Sequence, residues 1–396
     1  MKVIDRIIYC DNNAATRIAP EVFEGMKPFL TEFYGNPSSI HNFGGQVQKA
    51  IDEARASVAE LLGAQESEIV FTSGGTESDN AAIFSAVRVK EPRKKVLISK
   101  LEHPAVLNLG KELFRRGYNV LEIPVDNSGR VDMDFIEDNV DSDTALVSVM
   151  WANNEIGNIY PVDEISRIAH SQGALFHTDA VQAVGKVPID LSRMTIDTLA
   201  LSGHKLHAPK GVGVLYIKRG VRFKPYLIGG HQERGRRAGT ENVASIVGLG
   251  IACKLAIKNM KEENTRVKEL RDKLEDSLLS SIQCTRLNGD KENRIPNTTN
   301  ISFEYIEGEA ILLMMNQMGI CASSGSACTS GSLEPSHVLR AIGVPYTAAH
   351  GSVRFSLSVY NTADEIDFII EKLPPIIDML REISPYWRKR HHLQKV

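Results

Sequence analysis

Between about Ile69 and Ile217 short apolar runs recur with helical stretches between them: Ile69-Val70-Phe71, Val96-Leu97-Ile98, residues 145–150, Ala174-Leu175-Phe176, residues 198–201 and residues 212–217. Strands that alternate with helices imply an α/β fold built on a mostly parallel sheet. In such a sheet ligands bind in the crevice outside the carboxyl ends of the strands. The polar residues just after each apolar run are therefore the candidates for chemistry.

Ahead of this region, residues 20–33 place Val22, Met26, Phe29, Leu30 and Phe33 on one helical face, with Pro20 suited to a first turn. From Gln46 onward Val47, Ile51, Ala54, Val58, Leu61 and Leu62 repeat the pattern, and Gly63 closes it. After Asn264 the arrangement changes. An amphipathic helix through Val267, Leu270, Leu274 and Leu278 leads to strand candidates at 299–303 and 352–357, with helical runs at 308–318 and 363–380. At 396 residues the chain exceeds what one core accommodates. The expected division is a large domain over 15–262 and a smaller α+β domain made of 1–14 and 263–396.

Hydrophobic residues at 42% and charged residues at 24% are ordinary globular usage, which excludes a disordered polyelectrolyte. No stretch approaches the roughly 18 apolar residues of a membrane span, so no membrane is expected. Lys and Arg total 46 against 49 Asp and Glu, a net charge of −3, and no global basic field draws the chain to nucleic acid. The local cluster Arg234, Arg236 and Arg237 lacks interleaved aromatics. Five scattered cysteines, an odd number, argue against a disulfide framework and for a reducing, cytoplasmic location.

Three strand ends carry the chemistry. The first apolar run passes into Thr72-Ser73-Gly74-Gly75-Thr76-Glu77-Ser78, where small residues at a helix start let backbone N–H groups approach a phosphate. The run ending at Phe176 is followed by His177-Thr178-Asp179-Ala180-Val181-Gln182, and the run ending at Leu201 by Ser202-Gly203-His204-Lys205. A lysine at a buried strand end has a lowered pKa, as an amine that attacks a carbonyl requires. An amine, a carboxylate and an anion cup on one sheet are what pyridoxal 5'-phosphate asks for. His204 and His207 could share a metal, but no further ligand stands at suitable spacing and Lys205 between them repels cations, so no metal is expected.

Together with Tyr9 to Thr16, Gly35-Asn36-Pro37-Ser38-Ser39, Glu102-His103-Pro104-Ala105-Val106, Trp151-Ala152-Asn153-Asn154-Glu155 and the stretch 323–331, these motifs resemble, in order over nearly the whole chain, the cysteine desulfurases of the nitrogen-fixation type. The resemblance implies a fold-type I pyridoxal-phosphate-dependent transferase, related to class V aminotransferases and built as a homodimer. It implies that Lys205 holds the cofactor, Asp179 faces the ring nitrogen, Gln182 faces the phenolic oxygen and His103 stacks on the ring. Gly75, Thr76, Ser202 and His204 match phosphate contacts, with Thr240 reaching in from the other subunit. Asn154 matches a residue beside ring and substrate, Arg354 the clamp for the substrate carboxylate, and Asn36 a further substrate contact. A planar guanidinium suits that carboxylate role.

The implied reaction takes sulfur from L-cysteine, leaving L-alanine and a persulfide on Cys328, which an iron–sulfur scaffold protein receives. Cys328 lies in Ala322-Ser323-Ser324-Gly325-Ser326-Ala327-Cys328-Thr329-Ser330-Gly331, a composition that suggests a mobile loop over about 323–335. Cys321 ends an apolar stretch and reads as inert core, as do Cys10, Cys253 and Cys284. Rival readings are a selenocysteine lyase or an aminotransferase on the same fold, and Cys328 is the residue that discriminates them. The basic tail 387–396 reads as solvated chain.

Overall fold

The computed structural model describes residues 7–324 and 335–388. The chain opens with β1 (Ile8–Tyr9), α1 (Pro20–Thr31) and α2 (Asn42–Leu62). Gly63 ends α2 in the left-handed conformation at φ 61, where a Cβ would also meet Asp190. There follow β2 (Ile69–Thr72), α3 (Gly75–Val89), β3 (Lys95–Ser99), α4 (Pro104–Arg115), β4 (Asn119–Ile123), α5 (Met133–Asn139), β5 (Thr144–Ser148), α6 (Val162–Ser171), β6 (Leu175–Asp179), β7 (Thr198–Ser202) and β8 (Gly213–Ile217).

These strands form a seven-stranded sheet in the order β2-β8-β7-β6-β5-β3-β4. It is parallel from β7 to β4, while β8 runs antiparallel to both β7 and β2. Strands β5, β7 and β8 are buried at every residue, because helices cover both faces of the sheet and leave no solvent side for polar alternation. The apolar runs of the sequence mark these strands. Edge strand β4 was not among them: Asn-Val-Leu-Glu-Ile is mostly half-exposed and carries no continuous apolar run.

The second half begins with α7 (Val243–Glu262), which continues through a π-helical turn, Glu263–Val267, into α8 (Lys268–Ser281). The helix expected after Asn264 is thus the later part of one long rod. By length and composition, Val243–Ser281 could cross a membrane. Here Ala244, Ile246, Leu249, Ala252 and Cys253 are buried in the larger core, where α7 packs on α1 and α2. Gly250 permits this approach, since a Cβ there would lie 2.6 Å from Ala54 Cα.

The remaining elements are β9 (Thr285–Leu287), β10 (Thr298–Phe303), α9 (Gly308–Gln317), β11 (Ile320–Cys321), α10 (His337–Ala341), α11 (Tyr346–Ala349), β12 (Ser352–Ser356) and α12 (Ala363–Ile383). Strands β12-β10-β9 form an antiparallel sheet, and β1 pairs in parallel with β11. A second core lies here, built from Ile8, Leu274, Leu278, Ile301, Phe303, Ile311, Val353, Phe355 and the inner face of α12. Val338, Leu339 and Ile342 of α10 and its C-terminal end pack instead into the larger core.

One ion pair fastens α8 to the stretch that leads into β10. Arg294 donates from Nη1 and Nη2 to the two oxygens of Glu275 at 2.5 and 2.7 Å, and Thr299 Oγ1 donates to the same carboxylate at 2.6 Å. Both charged side chains are buried. Removing one member strands the other charge, so Glu275→Ala is expected to cost about 3–5 kcal/mol of stability in urea unfolding. The double replacement Glu275→Met with Arg294→Met should recover most of that loss.

Candidate active site

The carboxyl ends of β5, β6 and β7 open into a cavity of about 350 Å³. Three elements shape its anion end. Helix α3 begins at Gly75, where an added Cβ would meet Val181 Cγ2 at 2.8 Å, so only glycine allows the backbone so close to the cavity. The first N–H groups of this 15-residue helix have no side-chain cap, and Thr76, Ser202 and His204 line the same space. Nδ1 of His204 is buried without a partner among the described residues. Donors converging on one pocket fit a phosphate dianion.

At the floor, the Asp179 carboxyl accepts from Val181 N–H at 2.9 Å. Burial, and then the neighbouring Asp79, push it up to about 7, while His103 opposes the shift. Asp79 itself is pushed up to about 8 by burial and lies 3.2 Å from His177 Nε2. Burial pulls His177 down to about 4, so the pair holds one proton between its members near neutrality. A carboxyl in such surroundings is a seat for a protonated ring nitrogen, whose charge would restore its ionised form.

His103 caps α4, accepting from Ala105 N–H at its Nδ1, 3.2 Å away, with Pro104 in the first turn. Burial lowers its pKa, leaving the imidazole neutral at the cavity wall. Lys205 sits in a single turn after β7, and its Nζ donates to the carbonyls of Asn13 and Ala14, both at 2.6 Å. Gln182 Nε2 donates to the same Asn13 carbonyl at 2.9 Å.

Across the cavity, β12 supplies Arg354, whose side chain is 5% exposed. Its Nη2 donates to Asp11 at 2.7 Å and its Nη1 to the Asn154 carbonyl at 3.0 Å, while Nε is buried and has no partner among the described residues. A guanidinium so placed can take a carboxylate.

The structure therefore brings Gly75, Thr76, His103, Asn154, Asp179, Gln182, Ser202, His204, Lys205 and Arg354 to one cavity. Asn36 and Thr240 are exposed and do not line it; the Asn36 side chain accepts from Ser38 N–H at 2.9 Å. Cys328 lies outside the described residues. The two flanks of its segment meet the site: Ser323 pairs with the Arg354 backbone, and Ser336 Oγ donates to Glu155 Oε2 at 2.5 Å.

Among the other thiols, Cys10 and Cys253 are buried, and burial raises both. Cys284 and Cys321 are only half-buried, which corrects their assignment to the core. The arginine cluster is structural: Arg237 pairs with Glu77 at 2.9 Å, Arg234 donates to the Ile69 carbonyl at 2.6 Å and Arg236 to that of Ser67 at 2.9 Å. Sequence reasoning passed over Asp79, Asn13 and Met150, which also line the cavity. Asp79 had a signal: it stands one turn after Gly75, an acid on the face that continues as Ala82, Ile83 and Ala86.

Comparison with known proteins identifies the family. The family described as aminotransferase class-V matches residues 8–369. The cysteine desulfurase NifS of Azotobacter vinelandii is 60% identical over 381 residues, covering 96% of this chain and 95% of that protein. A cysteine desulfurase of Trichormus azollae is 57% identical over 380 residues, with 96% and 95% covered. Among solved structures, a NifS-like protein superposes with a TM-score of 0.89 at 39% identity, covering 95% of this chain and 100% of that one. The structure titled SspA in complex with cysteine gives 0.79 at 34% identity, covering 89% and 99%.

The buried carboxyls carry a pH signature. Asp79 and Asp179 titrate higher in the folded chain than the ordinary value of 3.8, so folding retains protons that the unfolded chain has released. That stabilisation is full below about 3.8, declines as pH rises above it, and is gone once pH has passed through about 7 and 8. His177 acts oppositely, but only between about 4 and 6.5. Cofactor-free protein should therefore lose stability from about pH 6.5 to about pH 8.5 in chemical denaturation. Asp79→Asn should flatten that slope by at most about 1.4 kcal/mol per pH unit.

Proposed function

This chain belongs to the class-V aminotransferase family as one of its cysteine desulfurases, and we propose how its side chains divide the work of taking sulfur from L-cysteine. Pyridoxal 5'-phosphate is its cofactor, and when bound it supplies an aldehyde that couples to an amine and a ring that withdraws charge from the substrate. Lys205 holds it, Asp179 faces its ring nitrogen, Gln182 its phenolic oxygen, and His103 its face. Gly75, Thr76, Ser202 and His204 hold the phosphate. The observation that carries this reading is the convergence on one cavity of an amine, a buried carboxyl and a buried imidazole nitrogen that has no partner among the described residues.

Arg354 takes the carboxylate of L-cysteine, with Asn154 beside it. The Lys205 amine removes the Cα proton, and neutral His103 manages the proton at the substrate thiol. The thiolate of Cys328 attacks the substrate sulfur. A sulfur–sulfur bond forms as the Cβ–S bond breaks, its electron pair stays on Cβ and takes up a proton there, Lys205 returns a proton to Cα, and L-alanine leaves. An iron–sulfur scaffold protein receives the sulfur from the persulfide. In favour of Cys328 over Cys10 and Cys253 stands the burial that raises those two thiols.

The working unit is a homodimer in the cytoplasm. Tyr34, Ile40, Leu227 and Ile228 are exposed apolar side chains that a second copy would cover. Thr240 of that copy would complete the phosphate site, which accords with its exposure here. Residues 15–262 make the cofactor-binding domain, and the described residues of 1–14 and 263–396 the smaller one, apart from the stretch 338–349, which packs into the larger core.

Lys205→Ala should abolish the visible absorption of the purified protein. Cys328→Ser should keep the colour yet lose alanine formation from L-cysteine by more than about 100-fold, with no persulfide in the mass spectrum. A Ser variant that makes persulfide at the parent rate would overturn the assignment of Cys328. Arg354→Leu should retain the cofactor and raise KM for L-cysteine by about 10- to 100-fold, the worth of a charged hydrogen bond.

A further inference from the structure

One turn beyond Gln182 stands a second buried amine that the reaction above does not use. Lys186 is 6% exposed, and its Nζ donates to Gln182 Oε1 at 3.0 Å and to the Gln182 carbonyl at 3.2 Å. The two ends of a glutamine amide have nearly the same shape, so its neighbours decide which end is which. An ammonium against Oε1 settles the matter: the NH2 group must lie on the other side. There it donates to the Asn13 carbonyl at 2.9 Å, the same oxygen that takes Lys205 Nζ at 2.6 Å. Its second N–H is left for the cavity that Gln182 lines.

The far side of Lys186 is also built. Lys186, Lys205, His207, Asn259 and Glu263 line a separate cavity of about 40 Å³. That exceeds the roughly 10–15 Å³ that one water requires. Glu263 comes from the π-helical turn, and its Oε2 is buried without a partner among the described residues. Such turns interrupt helices most often at functional places. Asn264, the next residue in that turn, donates to the Lys186 carbonyl at 2.9 Å. Burial lowers Lys186 to about 8, with Glu263 working against the shift, so the ammonium is present near neutrality.

We propose that Lys186 is a positioning residue: backed by Glu263, it fixes the amide of Gln182 so that a donor, and not an acceptor, faces the phenolic oxygen of the cofactor. This rests on the reading of the cavity as the pyridoxal phosphate site. Replacing Lys186 frees the amide to rotate, and a carbonyl facing that oxygen would repel it.

The test compares holoenzymes of the parent, Lys186→Met, Gln182→Met and the double variant. It reads the position of the visible absorption band and the dissociation constant for pyridoxal 5'-phosphate, with the melting temperature of each cofactor-free protein as the control for folding. Lys186→Met is expected to move the band and weaken retention by about 3- to 10-fold, the worth of one hydrogen bond. The double variant should be no worse than Gln182→Met alone, because Lys186 acts only through that side chain. An unmoved band, or losses that add in full, would overturn the proposal. Should Lys186→Met fail to fold, Glu263→Gln leaves the amine in place and should move the band in the same direction; an unmoved band there counts against it equally. A parent protein that takes up no pyridoxal phosphate overturns the reading of the site itself, and this inference with it.

Discussion

An ionisable group without water must be given a proton, a counter-charge or a set of hydrogen bonds, and the carboxyl ends of β5 to β7 are organised by that requirement. Asp79 and His177 meet it by sharing a proton. Glu102, wholly buried and raised by that burial, accepts from Met150 N–H at 2.6 Å with one oxygen, and the other has no partner among the described residues. Asp179 has one backbone donor and a dry wall around it. For Asp179, which lines the cavity, a cationic ring would offset the cost of that burial. Stability and cofactor affinity are thus governed by the same residue there, as expected of a site whose polar groups are arranged before the ligand arrives.

The two sheets meet at the short stretch after β1. Asn13 Nδ2 donates to Thr298 Oγ1 at 2.8 Å and to the Asn154 carbonyl at 3.1 Å, its N–H donates to Ser356 Oγ at 2.9 Å, and its own carbonyl receives both Lys205 and Gln182. Thr16 Oγ1 then donates to the His204 carbonyl at 3.0 Å. A residue from the extreme N-terminal part of the chain therefore sets the distance between the amine on the large sheet and the guanidinium on the small one. That is why residues 8–13 fold with the C-terminal core and yet touch the chemistry of the other half.

Much of this was legible in the sequence, and the pattern of success has a physical cause. Buried parallel strands announce themselves as continuous apolar runs, and the residues after them, Asp179 and Lys205 among them, inherit a known place in space. What escaped were groups whose significance depends on contacts distant in sequence. Lys186 reads as an ordinary loop lysine until the fold turns it onto Gln182, and Asp79 as one polar residue in a helix until His177, 98 residues away, appears beside it. The edge strand β4 and the unbroken rod from α7 to α8 were missed for a different reason. Their stability comes from packing partners, and not from a periodicity strong enough to stand alone.

Arg354 joins the substrate seat to the segment that bears the proposed nucleophile. Its side chain faces the cavity, while its backbone N–H donates to the Ser323 carbonyl at 2.6 Å and its own carbonyl accepts from Ser323 N–H at 3.2 Å. On the other flank, Ser336 donates to Glu155, and His337 Nε2 lies 3.0 Å from the Glu102 carbonyl. Glu155 is in turn under the influence of the Arg354 charge, which lowers it against the burial that pushes it up to about 7. Both ends of the Cys328 segment are therefore tied to groups that feel the guanidinium.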